Sequence, residues 1–317
     1  MDNSTFKTKA RRIETSPEKI LSMSMEVARF ITHSGRFHAD EVMAAAILSQ
    51  ADIISDVLRI TPEVLPLVKK EGDIVGDIGR IYSPHDKIFD HHQGKYPRPD
   101  GSYFATAGMI WTSYAKQAIR MTIPFENVTE EMVDFIFQRV DRLLIKGIDA
   151  NDTDNDFDKT AKCVSGEVNV VTLSDIVRSM NQKDIYSEGQ KKWFFQAVHL
   201  CKLQLQYFIN GSLAVYLAKD KIRACEVINN TLIMDEGFAW KEAICDPEFK
   251  DILYVISKSD HPSSDYMLIA VPLEAGKRAH KKDIERSPEF KDFIHEGKWI
   301  AGGSKEDLLK LAEYNVK

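Results

Sequence analysis

Cysteine is scarce and unpaired in this sequence. Its four residues, Cys163, Cys201, Cys225 and Cys245, show no CxxC spacing. That argues against a zinc knuckle or a disulfide framework and favours reduced thiols in a cytoplasmic protein. No stretch approaches the ~20 consecutive apolar residues that span a bilayer, so no membrane-spanning helix is expected. An excess of basic charge is also missing. Lys and Arg total 42 against 48 Asp and Glu, a formal net charge of −6, so no global positive field recruits nucleic acid. Any polyanion must be held by a local patch or by bound cations. The first residues carry Lys7, Lys9, Arg11 and Arg12 without an apolar core, which argues against a secretory signal. Basic and hydroxyl residues leave an organelle presequence open, but Asp2, Glu14 and Glu18 favour a disordered tail over 1–25. Internal repeats and low-complexity segments are absent.

What remains is ordinary globular material. With 317 residues, 44% of them hydrophobic, the chain can build about two domains. A strand over Val27–Thr32 is followed by a helix over Glu41–Gln50. Further strands are expected at Ile53–Thr61, Asp73–Gly79 and Lys87–Asp90. This order predicts an α/β fold, a mostly parallel sheet with flanking helices. Amphipathic helices are expected over Thr106–Ile119 and Glu130–Ile145, the polar stretch Asn151–Lys159 reads as a loop, and a long helix covers Gly189–Leu217. Beyond Lys221 strand patterns return over Ala224–Met234, Asp251–Lys258 and Tyr266–Pro272, and two helices separated by Gly302-Gly303 are expected to close the chain. The expected division is a catalytic domain over 26–187, a connecting helix over 188–220, and a smaller α+β domain over 221–317.

The chemistry concentrates at strand ends. His33-Ser34-Gly35-Arg36-Phe37-His38-Ala39-Asp40 follows the first strand, Asp77 the third, and Asp90-His91-His92 the next, with Asp149 further on. In parallel sheets ligands gather outside the carboxyl ends of strands. Carboxylates and imidazoles from separate strand ends form a ligand set for divalent cations such as manganese or magnesium. Two such ions need a shared carboxylate. Asp77, flanked by Gly76 and Gly79, is the best candidate for it. Glu41 reads as a first-turn carboxylate, favoured there by the helix dipole, in preference to an acceptor behind the ligands.

These ordered segments resemble the DHH phosphoesterase superfamily and, more closely, the MYG1 family, across about residues 28–312. The resemblance rests on His33 to Glu41, Asp77, Asp90-His91-His92-Gln93, Asp149 to Asp152, and Trp299 to Gly303. It implies one metal held by His33, His38 and Asp77, and a second held by Asp40, Asp77, His91 and Asp149. It also implies that His92 faces the phosphate and that Gly302-Gly303 approaches substrate. It implies 3′-to-5′ exonuclease activity on RNA. His33 and His38 replace acidic residues of the wider superfamily, which favours manganese over magnesium. The run after Gly302-Gly303, Ser304-Lys305-Glu306-Asp307, departs from the family's threonine-containing pattern.

Two enzymatic expectations follow. The first is a two-metal phosphodiesterase acting on RNA or short oligonucleotides, with Asp77 and His92 as catalytic residues. The basic run Lys277, Arg278, His280, Lys281, Lys282 and Arg286 would hold phosphates, Arg278 and Lys281 in particular. The second is a phosphatase or pyrophosphatase acting on a small phosphorylated molecule or nucleotide. A third reading is a metal-stabilised binding protein without activity. Oligomeric state is not readable from the sequence.

Overall fold

The computed structural model describes residues 28–153 and 171–317. The expected tail over 1–25, Cys163 and most of the expected loop after Asn151 lie outside the described residues. The chain divides into two compact units, one within Met1–Ala118 and Lys146–Lys202, the other Ile119–Ile145 with Leu203–Lys317. Each has its own five-stranded sheet and flanking helices, a mixed α/β architecture.

In the first unit, β1 (Ala28–His33), β2 (Ile54–Ile60), β3 (Ile74–Gly76), β4 (Tyr82–Ser83) and β5 (Ile88–Phe89) stand in the order β2-β1-β3-β5-β4. The pairs β1–β2, β1–β3 and β3–β5 are parallel, and only β4 runs antiparallel, against β5. Ile31, Val75 and Ile78 form a buried cluster on this sheet. Helix α1 (Ala39–Gln50) is buried along nearly its whole length. Its run of alanines with Val42, Met43, Ile47 and Leu48 is apolar all round, as a helix inside a core must be. At Gly76 an added Cβ would stand 2.5 Å from the Phe30 ring, so only glycine lets β3 lie this close to β1.

Helix α2 (Thr106–Thr122) follows the expected span. The next expected helix is interrupted. Regular α3 (Glu130–Val140) ends where Asp141–Ile145 widens into a π turn before α4 (Lys146–Asp152). Buried positions recur every four residues through Met132, Ile136, Val140, Leu144 and Ile148. That period exceeds 3.6, and the wider π turn accommodates it. Helix α5 (Leu173–Ser179) begins at a Thr172 cap whose hydroxyl accepts the Asp175 N–H.

Helix α6 (Glu188–Ala224) runs longer than expected at both ends. The second sheet comprises β6 (Glu226–Ile228), β7 (Thr231–Met234), β8 (Tyr254–Lys258), β9 (Tyr266–Ala270) and β10 (Ile300–Gly303), in the order β10-β9-β8-β7-β6. Only β7–β8 is parallel. The first expected strand here splits into β6 and β7 at a turn where Asn229 and Asn230 take positive φ. The two expected closing helices are corrected to a strand and one helix, α7 (Lys305–Val316). Gly302 and Gly303 pair with Met267 and Tyr266 inside the sheet. The segment before them is held in an irregular path, Arg286 donating to the Phe290 and Asp292 carbonyls.

Candidate metal centre

Parallel pairing of β1, β3 and β5 brings three carboxyl ends side by side, and the polar residues immediately after each strand meet there. Asp77, one residue past β3, is 5% exposed and takes a positive φ of 57°. Its N–H donates to the Phe89 carbonyl at 3.0 Å, which ties the turn to the end of β5. One carboxylate oxygen, Oδ2, lies 3.2 Å from His33 Nε2, and the other, Oδ1, lies 3.4 Å from His91 Nε2 and 3.5 Å from His92 Nδ1.

His33 Nδ1 lies 3.0 Å from the Ser34 carbonyl. Donating there, the ring aims Nε2 at Asp77 and at Glu41 Oε1, 3.2 Å away. This is how metal-binding histidines are oriented by a backbone carbonyl. Glu41 has a second task, since its carboxylate accepts the His38 N–H at 3.0 and 3.1 Å and caps α1. Asp40 is clamped by the first turn of α2, accepting the Thr106 N–H at 3.0 Å and the Ala107 N–H at 2.6 Å. Those free amides would otherwise lack partners at a helix start.

The ligand atoms fall into three overlapping groups. His33, His38, Glu41 and Asp77 form one, Asp77, His91 and His92 a second, and Asp40, His91 and Asp152 a third, each within 4.8 Å. Asp77 and His91 each belong to two. The expected ligands His33, His38, Asp40, Asp77 and His91 are therefore brought together. Asp149 lies beside Asp40 at the start of α2 but belongs to none of these groups. Its buried carboxylate accepts from Arg98 Nη2 at 2.5 Å and from the Gly108 N–H at 2.9 Å. Asp152, one turn along α4, stands 3.0 Å from His91 Nε2. Asp152 is not among the expected ligands, and Glu41 is expected as a first-turn carboxylate in preference to an acceptor behind the ligands.

Electrostatics show a deficit of positive charge. For His33, burial would lower the imidazole, but Asp77 and Glu41 override it and push it up to about 11. Burial likewise opposes charging of His91, yet Asp152 and Asp77 push it up to about 11. Asp40 is raised well above the carboxylate range, first by burial and then by the charges of Asp152 and Asp77. Asp77 goes the other way: burial favours its neutral form, and the His33 and His91 imidazoles outweigh that. A bound divalent cation would supply the positive charge that these shifts call for. Asp77 Oδ1 and His91 Nε2 are buried and lack a hydrogen bond, a costly arrangement unless a cation lies among them. The donor set of carboxylate oxygens and imidazole nitrogens fits divalent manganese or magnesium.

The groups open onto a cleft of about 750 Å³, which Arg80, Ser174 and Arg178 also line. His92 stands at its wall, 56% exposed, with Nδ1 2.8 Å from Asp90 Oδ1. Asp90 also accepts the Arg80 N–H at 2.6 Å and the His92 N–H at 3.0 Å. Burial pushes the Asp90 carboxyl up, but these bonds hold it below its ordinary range.

The other expected substrate residues lie in the second unit. Lys281 Nζ donates to the carbonyls of Phe249, Lys250 and Ile252 at 3.0–3.1 Å, and burial lowers its ammonium. Arg278 is exposed. Gly302 allows β10 to pass Ser264, whose Oγ would stand 2.3 Å from an added Cβ, and Gly303 lies near Asp292. Among the described residues, no helix is long and apolar enough to cross a membrane.

The profile of the family described as Uncharacterised protein family (UPF0160) matches residues 29–288. The "MYG1 protein" of Chlamydia pneumoniae is 31% identical over 225 residues, 69% of this chain and 67% of its own length. The "MYG1 protein" of Saccharomyces cerevisiae is 24% identical over 324 residues, covering 90% of this chain and 94% of its own. A Rattus norvegicus protein named "MYG1 exonuclease" is 25% identical over 177 residues, 52% of this chain and 45% of its own. A solved pGpG-specific phosphodiesterase, PggH from Vibrio cholerae, aligns over 91% of this chain and 99% of its own at 16% identity. Its TM-score is 0.31, too low to carry an argument. By the span of the profile match and these relatives, the chain belongs to the MYG1 (UPF0160) family.

Proposed function

We propose that the protein is a divalent-metal-dependent phosphodiesterase of the DHH-like kind that removes nucleotides from the 3′ end of RNA or short oligonucleotides. The observation that carries this reading is the pair of buried, unbonded atoms Asp77 Oδ1 and His91 Nε2, on two residues that each belong to two ligand groups. The name of the rat relative supports the exonuclease class.

In this reading His33, His38, Glu41 and Asp77 hold one cation, and Asp40, Asp77, His91 and Asp152 hold another, manganese being preferred for its tolerance of imidazole. Bound there, two divalent cations supply Lewis acidity to phosphoryl oxygens and make a water nucleophilic at neutral pH. The remaining roles belong to the chain. Asp77 joins the two groups. Asp90 fixes His92 through Nδ1 and favours its imidazolium form, in which Nε2–H is free to donate to a non-bridging phosphate oxygen. Arg98 keeps Asp149 out of the ligand set, and Asp149 supports the start of α2 beside Asp40. Arg80 and Arg178 supply charge to the cleft for the negative backbone of the substrate.

The test offers end-labelled oligoribonucleotides and pyrophosphate to the wild type and to Asp77→Asn with manganese. Stepwise loss of mononucleotides from the 3′ end, abolished by the substitution, supports the proposal. Phosphate release from pyrophosphate alone replaces it with the phosphatase reading. Undiminished hydrolysis by a folded Asp77→Asn protein ends both.

A further inference from the structure

A larger cleft, about 1070 Å³, lies wholly within the second unit. Two of the four tryptophans in the chain, Trp240 and Trp299, line it. So does His280, whose ring is nearly parallel to Trp299, at 12° with centroids 6.4 Å apart. Its rim is cationic, with Lys241, Lys277 and Arg278. Of its two carboxylates, Glu242 is already engaged by Arg139, whose Nε donates at 2.9 Å, which leaves Asp283. A local positive rim is a departure in a chain of net charge −6.

The element that carries the rim is built. After β9 the chain turns back on itself. Lys281 N–H donates to the Val271 carbonyl and Leu273 N–H to the Ala279 carbonyl, both at 2.8 Å, with Pro272 bridged to His280. Lys281 Nζ pins the base of this hairpin to three carbonyls. Lys277 and Arg278 thus stand exposed at the tip of a fixed hairpin, and His280 at its root.

We propose that this cleft binds single-stranded oligonucleotide, a base lying against Trp299 and His280 and the flanking phosphates on Lys277 and Arg278. Flat rings beside cations match a chain of bases joined by phosphates, because every base offers a π-face and every linkage a charge. An acidic peptide would use the rim and leave the rings without partners. The role of the cleft in catalysis rests on the phosphodiesterase reading, but its binding step is measurable without it.

The experiment measures anisotropy of a short fluorescein-labelled oligouridylate with the full chain in EDTA, where metal-dependent hydrolysis is off. Trp299→Leu and the surface double variant Lys277→Glu/Arg278→Glu are compared with the wild type, their folding checked by circular dichroism. The expected result is about tenfold weaker binding or more in each, with a shallower salt dependence in the double variant. Adenosine monophosphate competes, and inorganic phosphate at equal concentration does not. Unchanged affinity in the folded double variant, or no binding by the wild type, overturns the proposal. Should Trp299→Leu fail to fold, the double variant and the competition series decide alone. A wild type that binds without ever cleaving defeats the phosphodiesterase reading and leaves this one standing.

Discussion

Asp149 and Asp152 stand one helical turn apart on α4, yet their carboxylates serve different partners. Asp149 meets Arg98 at 2.5 Å, in full burial, and Asp152 meets His91 at 3.0 Å on the cleft wall. One closes a buried ion pair, and the other lines the cleft beside His91.

Their asparagine variants should therefore fail in different assays. Asp152→Asn should bind manganese at least about tenfold more weakly by calorimetry, since even supporting residues cost that much when lost, while its urea midpoint changes little. Asp149→Asn strands a buried guanidinium and should lose about 3–5 kcal/mol of stability. The opposite pattern would return Asp149 to the ligand set.

Two glycine-to-alanine changes on neighbouring helices should move stability in opposite directions. At Gly108 a Cβ would meet Asp149 Oδ2 at 2.0 Å and Arg98 Nη2 at 2.6 Å, and both atoms are fixed in a buried pair. Gly108→Ala should cost about 3–5 kcal/mol by splitting that pair. At Gly147 nothing lies within 4 Å of the added carbon, and Gly147→Ala should stabilise by about 0.5–1 kcal/mol through helix propensity. Chemical denaturation of both variants checks the signs.

Much of this arrangement was legible beforehand, for identifiable reasons. His33, Asp77 and the Asp90-His91-His92 run each follow a short apolar strand, and in a parallel sheet that position alone predicts convergence. Asp149 against Asp152 was not legible. Residues three apart share a helix face, and the choice between them depends on Arg98 and Gly108, 51 and 41 residues away. Glu41 was half legible, because its capping bond to His38 is local, whereas its approach to His33 depends on the loop between. Gly302 and Gly303 read as a break between helices because glycine disfavours regular structure in isolation. Their place in β10 depends on β9 and on the space beside Ser264.

Acid stability should depend on a pair at the other end of the first sheet. Asp73 accepts from Arg29 Nε at 3.1 Å and Nη2 at 2.6 Å, and from the Lys70 N–H at 2.8 Å. Burial raises its carboxyl, but these donors win and hold it below the usual range. A folded-state value below the unfolded one means stability is present above about pH 4. It is lost as pH falls through the lower, folded value. Asp73→Asn should cost about 1.5–3 kcal/mol at neutral pH. Urea titrations of both proteins should converge as the pH is lowered below that point, and a constant gap would show that the carboxylate's charge is irrelevant.

The left-handed backbone at Asp77 has an implication for laboratory evolution. A side chain is disfavoured in that conformation and glycine is at ease there, so the local geometry and the carboxylate pull the codon toward different residues. Screening libraries for heat resistance alone should nonetheless retain aspartate here, because glycine would relax the backbone and leave the half-buried His33 and His91 rings without the carboxylate that favours their charged forms.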